Sequence, residues 1–141
     1  MWHKTSSGFR RARIAAPLIV LFAIPTLAQG IDLRGVWQYS RVNARGESYS
    51  GNINIDASSQ ASDIIKSSRG TDIAQTGYVK RDGAKVEIVF TKAVRDGPAY
   101  NPDHFYCTVQ SEVALSCSNV DNAGSSGSVF AVLRVGQAPR R

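Results

Sequence analysis

The neighbouring residues best suited to acid–base chemistry in this 141-residue chain are Asp103 and His104. General acid–base catalysis needs side chains within reach of one substrate, whereas neighbours in a strand point to opposite faces. The sequence also contains no nucleophile-elbow serine and no HExxH, Walker A or GxGxxG motif. We therefore predict a non-catalytic protein that requires no cofactor or metal, and we keep His104 as a candidate ligand contact.

Cys107 and Cys117 are the only two cysteines, and both lie in sequence typical of extended strands. A hairpin that turns about Glu112 places Cys107 directly opposite Cys117. The same register pairs Val109 with Leu115, and all four side chains then share one face. We predict a structural disulfide, for which the chain-entropy model gives about 3 kcal/mol. The alternatives, a redox pair or a metal site, require closer spacing or further ligands.

The first 28 residues contain the three parts of a secretory signal peptide in the required order. A basic cluster of Arg10, Arg11 and Arg13 precedes an apolar run at residues 14–24, and Ala28 ends a small-residue cleavage pattern. The run is shorter than the roughly 20 apolar residues that span a bilayer as a helix. We predict cleavage after Ala28, a periplasmic or secreted location and no stable membrane insertion afterwards. An uncleaved anchor and a buried helix are the alternatives.

The basic character of the chain is concentrated in that segment. The chain has 17 Lys and Arg residues against 11 Asp and Glu, and the first 28 residues hold four of the basic residues and no acidic one. The remaining 13 basic and 11 acidic residues nearly balance, and no basic stripe alternates with aromatic residues. We therefore expect no nucleic-acid partner.

Alternating apolar and polar residues dominate the chain after residue 30 and predict about eight short strands. Between two of them, Asp82-Gly83 predicts a tight hairpin turn. Only residues 63–68 are also compatible with a helical turn. The predicted strands lie at 36–41, 49–55, 62–67, 73–80, 85–91, the two arms of the cysteine hairpin, and 129–135.

Eight consecutive antiparallel strands favour an up-and-down barrel, because an open sheet leaves two unpaired edges. We therefore predict an all-β fold, an antiparallel eight-stranded barrel, as a single domain at residues 29–136. A flexible tail is predicted at 137–141. A two-sheet β-sandwich is the alternative fold.

Gly35-Val36-Trp37 opens the first predicted strand, and Arg134 lies in the last. These residues resemble the G-x-W motif of calycin barrels, such as lipocalins and avidins, and the basic residue that covers its tryptophan at the closed end. Small bacterial protease inhibitors share this barrel in outline. The resemblance implies a cation–π contact between Trp37 and Arg134. The T-D-Y pattern of lipocalins is absent, and the resemblance names no ligand.

If the first strand begins at the closed end, the longer connections meet at the open end, at 43–47, 68–72, 92–103 and 119–127. Loops presented by a rigid scaffold carry binding sites, and barrel mouths are favoured ligand positions. The longest loop, 92–103, contains two prolines and Tyr100 as an aromatic anchor. The candidate ligand-binding residues are Tyr100, Arg95, Arg45, Arg69 and His104.

Two functions fit this architecture. The first is an exported, non-catalytic binding protein that holds a small or extended ligand at the open end. The second is a protein-binding module that inhibits a periplasmic or extracellular hydrolase, with the 92–103 loop as a wedge. The interior of the barrel distinguishes them, because a carrier needs an apolar cavity whereas an inhibitor has a filled barrel.

Overall fold

The computed structural model describes residues 30–43, 45–68, 70, 72–120 and 128–137. The predicted signal peptide and the part of the predicted tail after Gln137 lie outside the described residues. Across the described part of the chain, no helix is long and apolar enough to cross a membrane. The strands are β1 (Gly35–Val42), β2 (Ser48–Ile55), β3 (Gln60–Ser67), β4 (Asp72–Asp82), β5 (Lys85–Arg95), β6 (His104–Ser111), β7 (Ala114–Asn119) and β8 (Phe130–Gln137).

Each strand pairs antiparallel with the next, and β1 pairs with β8 to close the barrel. The predicted all-β, antiparallel, eight-stranded up-and-down barrel is therefore confirmed, and the two-sheet sandwich is excluded. The helical turn considered at 63–68 is wrong, because residues 63–67 belong to β3 and pair with both neighbouring strands.

The alternation of side chains builds the barrel wall. In β1, Trp37 and Tyr39 point inward and are buried, whereas Gln38 between them points outward. The interior contains an aromatic cluster centred on Phe105. Its ring packs edge-on against Tyr39 and Phe130, with 5.2 Å between ring centres in both pairs. Such pairs contribute about 0.5–1.5 kcal/mol each beyond the area they bury.

The cysteine hairpin forms as predicted. Cys107 of β6 lies opposite Cys117 of β7, and their sulfur atoms are bonded. Val109 faces Leu115 in the same register. All four side chains are buried inside the barrel, so the disulfide is part of the apolar core.

The barrel is closed at the end where β1 begins. The indole Nε1 of Trp37 donates a hydrogen bond to the carbonyl oxygen of Leu33 (2.9 Å). Leu33 is buried in the core and Ile31 packs against it. The segment before β1 therefore covers this end of the barrel.

Arg134 ties that segment to the last strand. Its guanidinium lies 4.3 Å from the centre of the Trp37 ring, so the contact implied by the resemblance is present. The same guanidinium donates to the carbonyl oxygens of Asp32, Arg34 and Glu112. One side chain thus joins the last strand of the barrel to the segment that precedes the first strand.

β5 is longer than predicted. It continues to Arg95, so the predicted 92–103 loop is confined to residues 96–103. A β-bulge in β5, where Thr91 is the extra residue opposite Thr76 and Gly77, shifts the register of β4 against β5. The inward–outward alternation changes phase at a bulge, which a pattern of period two does not reveal. Glycine is required at position 77 because a Cβ there would lie 1.8 Å from the carbonyl oxygen of Val89.

Several strand boundaries differ from the predictions by one or two residues, among them the turn between β4 and β5 and the end of β8. The turn between β4 and β5 is Gly83-Ala84 rather than Asp82-Gly83, because Asp82 pairs with Lys85. Gly83 has a φ of 60°, the positive value that a two-residue turn beginning with glycine needs. Gln137 belongs to β8 and not to the tail.

Candidate functional site

A layer of polar side chains crosses the barrel interior towards the open end. Gln75 lies at its centre: its Nε2 donates to the carboxylates of Asp63 (2.9 Å) and Asp103 (3.0 Å). Its Oε1 accepts a hydrogen bond from the backbone nitrogen of Asp103 (3.1 Å). One amide therefore joins two buried carboxylates. The members of the layer are Arg41, Asp63, Gln75, Asp103 and Asn119.

Asp103 is neutralised by Arg41. Nη2 of Arg41 lies 3.0 and 3.1 Å from the two carboxylate oxygens, and the side chains are only 8% and 1% exposed. The carboxylate also accepts from the hydroxyl of Tyr100 (3.0 Å) and from Nδ2 of Asn119 (2.8 Å). Burial is the largest single effect on the guanidinium of Arg41 and lowers its pKa, but Asp103, Tyr100 and Tyr39 together outweigh burial, and the pKa is raised. Buried ion pairs persist when they are hydrogen-bonded in this way.

Asp63 lies on the other side of Gln75 and forms no ion pair with the described residues. Its Oδ2 accepts from the hydroxyl of Tyr39 (2.6 Å) and from Gln75, whereas Oδ1 has no hydrogen-bond partner among them. Burial raises the pKa of this carboxyl to about 7, against the lowering effect of the two hydrogen bonds. Asp63 therefore titrates near neutral pH.

Tyr39 reaches Asp63 because β2 carries a glycine opposite it. Tyr39 pairs directly with Gly51, and a Cβ at Gly51 would lie 2.3 Å from the tyrosine ring. The ring lies across the space that a side chain would occupy, with its hydroxyl directed at the carboxylate on β3. Gly51 is thus part of the geometry of the polar layer.

Aromatic and aliphatic side chains fill the space between the polar layer and the rim. The ring centres of Tyr49 and Tyr100 lie 6.3 Å apart, and the guanidinium of Arg41 lies 4.9 Å from the centre of Tyr49. Ile65 and Ile73 are buried beside them. Together with the larger apolar cluster beyond the polar layer, these side chains fill the interior of the barrel.

A groove opens the barrel wall at the same end, between β1 and β8. Among the described residues, the ladder between these strands ends at Tyr39 and Val132, although β1 continues to Val42. At this level the described part of β8 pairs with β7, through Phe130 and Ala131. The groove has a volume of about 950 Å³, and the residues that line it include Ser40, Val42, Ser48, Lys66, Ser128 and Val129.

The candidate residues at the open end do not form one cluster. Tyr100 points into the barrel, where its hydroxyl contacts Asp103 and accepts from Arg41 (2.9 Å), and burial raises the pKa of that hydroxyl. Arg95 ends β5, and its buried Nε has no hydrogen-bond partner among the described residues. Arg45 is exposed in the β1–β2 loop. Arg69 lies outside the described residues.

His104 lies on the outer face of β6. Its ring stacks on Tyr106, with 4.2 Å between ring centres, and Nε2 is 3.9 Å from the carboxylate of Glu87. Asp103 is buried in the interior. The two neighbouring side chains therefore lie on opposite sides of the wall.

Sequence reasoning missed Arg41, Asp63, Gln75 and Asn119. A signal was present, because each occupies an inward position in the alternating pattern of its strand. Asp63, for example, lies between two buried apolar residues of β3, at positions 61 and 65. A charged residue flanked in this way indicates a buried polar partner.

No family model matches the chain, and no curated protein matches it. The solved structures that are similar in fold include two engineered β-barrels. A de novo designed fluorescence-activating β-barrel is 15% identical, with a TM-score of 0.58, and the match covers 72% of this chain and 93% of that chain. A redesigned β-barrel, mFAP1, bound to DFHBI, is also 15% identical, with a TM-score of 0.52 and coverage of 73% and 94%. At this identity the likeness shows the barrel fold alone and does not assign the chain to the calycin families.

Proposed function

We propose that the protein is an exported, non-catalytic binding protein that takes an extended polypeptide segment in the groove between β1 and β8. Export is supported by the three-part N-terminal segment and by the disulfide, which persists in oxidising compartments. A non-catalytic role is supported by the separation of Asp103 and His104 on opposite sides of the wall.

The observation that carries the proposal is the early end of the β1–β8 ladder. Tyr39 is the last residue of β1 paired with β8 among the described residues, and β1 extends beyond it to Val42. Strand edges bind extended segments through main-chain hydrogen bonds, while neighbouring side chains provide specificity. In the groove, Val42 and Val129 offer apolar contacts and Lys66 offers a positive charge. These features suit a short extended segment with an apolar and an acidic residue.

The filled interior supports a site in the wall rather than inside the barrel. One of the similar solved structures is a barrel bound to DFHBI, so this type of fold is compatible with a small ligand. In this chain the apolar clusters and the polar layer take up the interior. We therefore expect an apolar fluorescent probe to show no saturable binding, and we place the ligand in the groove.

Panning a random peptide library against the purified protein tests this proposal. Ser40→Arg places a long side chain in the groove and should abolish binding of the selected peptides. Ser62→Arg makes the same change at an exposed position on the outer face of β3, away from the groove, and should leave binding unchanged. Failure to enrich any peptide, or equal binding to both variants, would contradict the proposal.

The second candidate function, inhibition of a periplasmic or extracellular hydrolase, is favoured by the anchoring of the 96–103 loop. The C-terminal part of this loop is anchored inside the barrel by Tyr100 and Asp103. Residues 96–99, at its tip, are exposed. Loops held in this way bind with little further loss of conformational entropy. Replacing residues 96–99 by Gly-Ser-Gly-Ser should abolish inhibition in a panel of such hydrolases. The Ser40→Arg variant should remain inhibitory, which separates this function from groove binding.

A further inference from the structure

The outer surface of the barrel is divided by charge. Within the described strands, the outward-facing residues of β7, β8, β1 and β2 are all uncharged. The outward positions of β3–β5 carry both signs, at residues that include Lys66, Asp72, Lys80, Lys85 and Glu87. Depletion of charge is typical of the centre of a protein–protein interface. Half of the barrel wall therefore has the composition of a surface that is buried in a protein–protein interface.

Within this uncharged face, β8 is apolar on both sides. Phe130 and Val132 point inward and are buried, whereas Leu133 and Val135 point outward and are 51% and 57% exposed. A strand that is apolar on both faces is typical of one buried on both faces.

Two further exposed valines lie beside the outward residues of β8. Val36 of β1 pairs with Gly136. Val113, in the turn before β7, accepts a hydrogen bond at its carbonyl oxygen from the backbone nitrogen of Arg134 (2.9 Å). The apolar patch is defined as Val36, Val113, Leu133 and Val135. It lies towards the closed end of the barrel, and Leu133 also borders the groove.

We propose that the apolar patch is the centre of an interface between two copies of this chain related by a two-fold axis. A two-fold contact brings a surface against itself, so a surface with charge of one sign would repel its equivalent. The uncharged face avoids this repulsion, and it offers no counter-charge to a charged partner. At its edge, Asp32 and Arg34 pair with each other (2.6 Å), which resembles the polar rim around an interface core.

The face is also large enough for such an interface. Three strands of eight residues and one of six, about 4.8 Å apart and at about 3.3 Å per residue, cover roughly 480 Å² in projection. Because side chains protrude from the sheet, the accessible area of the face is larger than its projection. It approaches the value of about 800 Å² per partner that stable complexes bury. The face shares Leu133 and outward residues of β1 and β2 with the groove, whereas Val36, Val113 and Val135 do not line the groove.

Sedimentation velocity of the purified protein over a range of concentrations tests the proposal. We expect a dimer for the wild type and an increase of about 100-fold in the dimer dissociation constant for Leu133→Glu, since like charges placed together in an interface cost several kcal/mol. Val94→Glu is the matched control, because Val94 is 59% exposed on β5, outside the patch, and this variant should remain dimeric.

A mixing experiment separates a lost interface from a misfolded variant. Leu133→Glu and Leu133→Lys should each be monomeric and should form a heterodimer when combined, because opposite charges then meet across the axis. A wild type that is monomeric at every concentration, including one whose patch is covered by its own N-terminal segment, would overturn the proposal. A Leu133→Glu variant that dimerises like the wild type would do the same.

Discussion

The hydroxyl of Tyr39 donates a 2.6 Å hydrogen bond to the buried carboxylate of Asp63. The second oxygen of that carboxylate has no hydrogen-bond partner among the described residues. Asp103, on the far side of Gln75, is instead paired with Arg41. The two acids of one layer therefore differ in how their charge is compensated, and the difference has a measurable effect on stability.

Stability should fall as pH rises from about 4 to about 7. Asp63 ionises near its ordinary pKa of 3.8 in the unfolded chain, whereas burial raises its pKa to about 7 in the folded protein. Between these values the folded state binds more protons than the unfolded state, so the unfolding free energy decreases with pH. A shift of about three pKa units corresponds to a loss of about 4 kcal/mol. Urea unfolding at each pH measures it.

Asp63→Asn should remove most of this pH dependence, because the amide keeps an acceptor for Tyr39 and does not ionise. Asp82→Asn, at an exposed position of β4, is the control and should reproduce the wild-type profile. A wild-type unfolding free energy that is constant between pH 4 and 7 would show that Asp63 is not desolvated.

Gly51→Ala should destabilise the protein by about 1–3 kcal/mol, the usual cost of overpacking a core. The new Cβ would lie 2.3 Å from the ring of Tyr39, so the ring must move away from Asp63. Gly136→Ala is the matched control, because its Cβ would lie 3.9 Å from its nearest neighbour, Val36. Thermal unfolding should separate the two variants, and equal melting temperatures would contradict the packing described here.

Removal of the disulfide should lower the unfolding free energy by about 3 kcal/mol. The double variant Cys107→Ala/Cys117→Ala tests this by urea unfolding, since alanine leaves no buried hydroxyl in the core. A reductant should destabilise the wild type and leave the double variant unchanged. If the reductant affects both proteins equally, its effect does not come from this bond.

We expect the proposed export to release a protein that begins at Gln29. Small side chains before the cut are required by signal peptidase, so Ala28→Leu should slow processing and leave a longer chain attached to the membrane fraction. The intact mass of the protein recovered from the periplasm or the medium checks the cleavage site. Recovery of the unprocessed chain from the cytoplasm would disprove export.

Much of the fold could be predicted, because apolar and polar residues alternate in a sheet that has one buried and one solvent-exposed face. The register of Cys107 against Cys117 follows from a single turn. The continuation of β5 to Arg95 could not be predicted, because the bulge at Thr91 reverses the phase of the pattern within β5.

The polar layer was harder to predict than the strands that carry it. Arg41 and Asp103 are 62 residues apart in the chain, and alternation shows only that each points inward. Which inward residues lie at the same level depends on the stagger of all eight strands. That stagger is set by bulges and loop lengths, which local sequence does not specify. The groove was missed for the same reason, since it depends on where the β1–β8 ladder ends.

The pairing of β1 with β8 determines when this chain can fold. Arg134 bonds to the carbonyl oxygen of Asp32, 102 residues earlier, so closure must wait until β8 has been synthesised. Contacts of such long sequence separation form slowly. A nascent chain lacking β8 would keep two strand edges open and could not close its barrel, which would suit the proposed export of the chain before it folds.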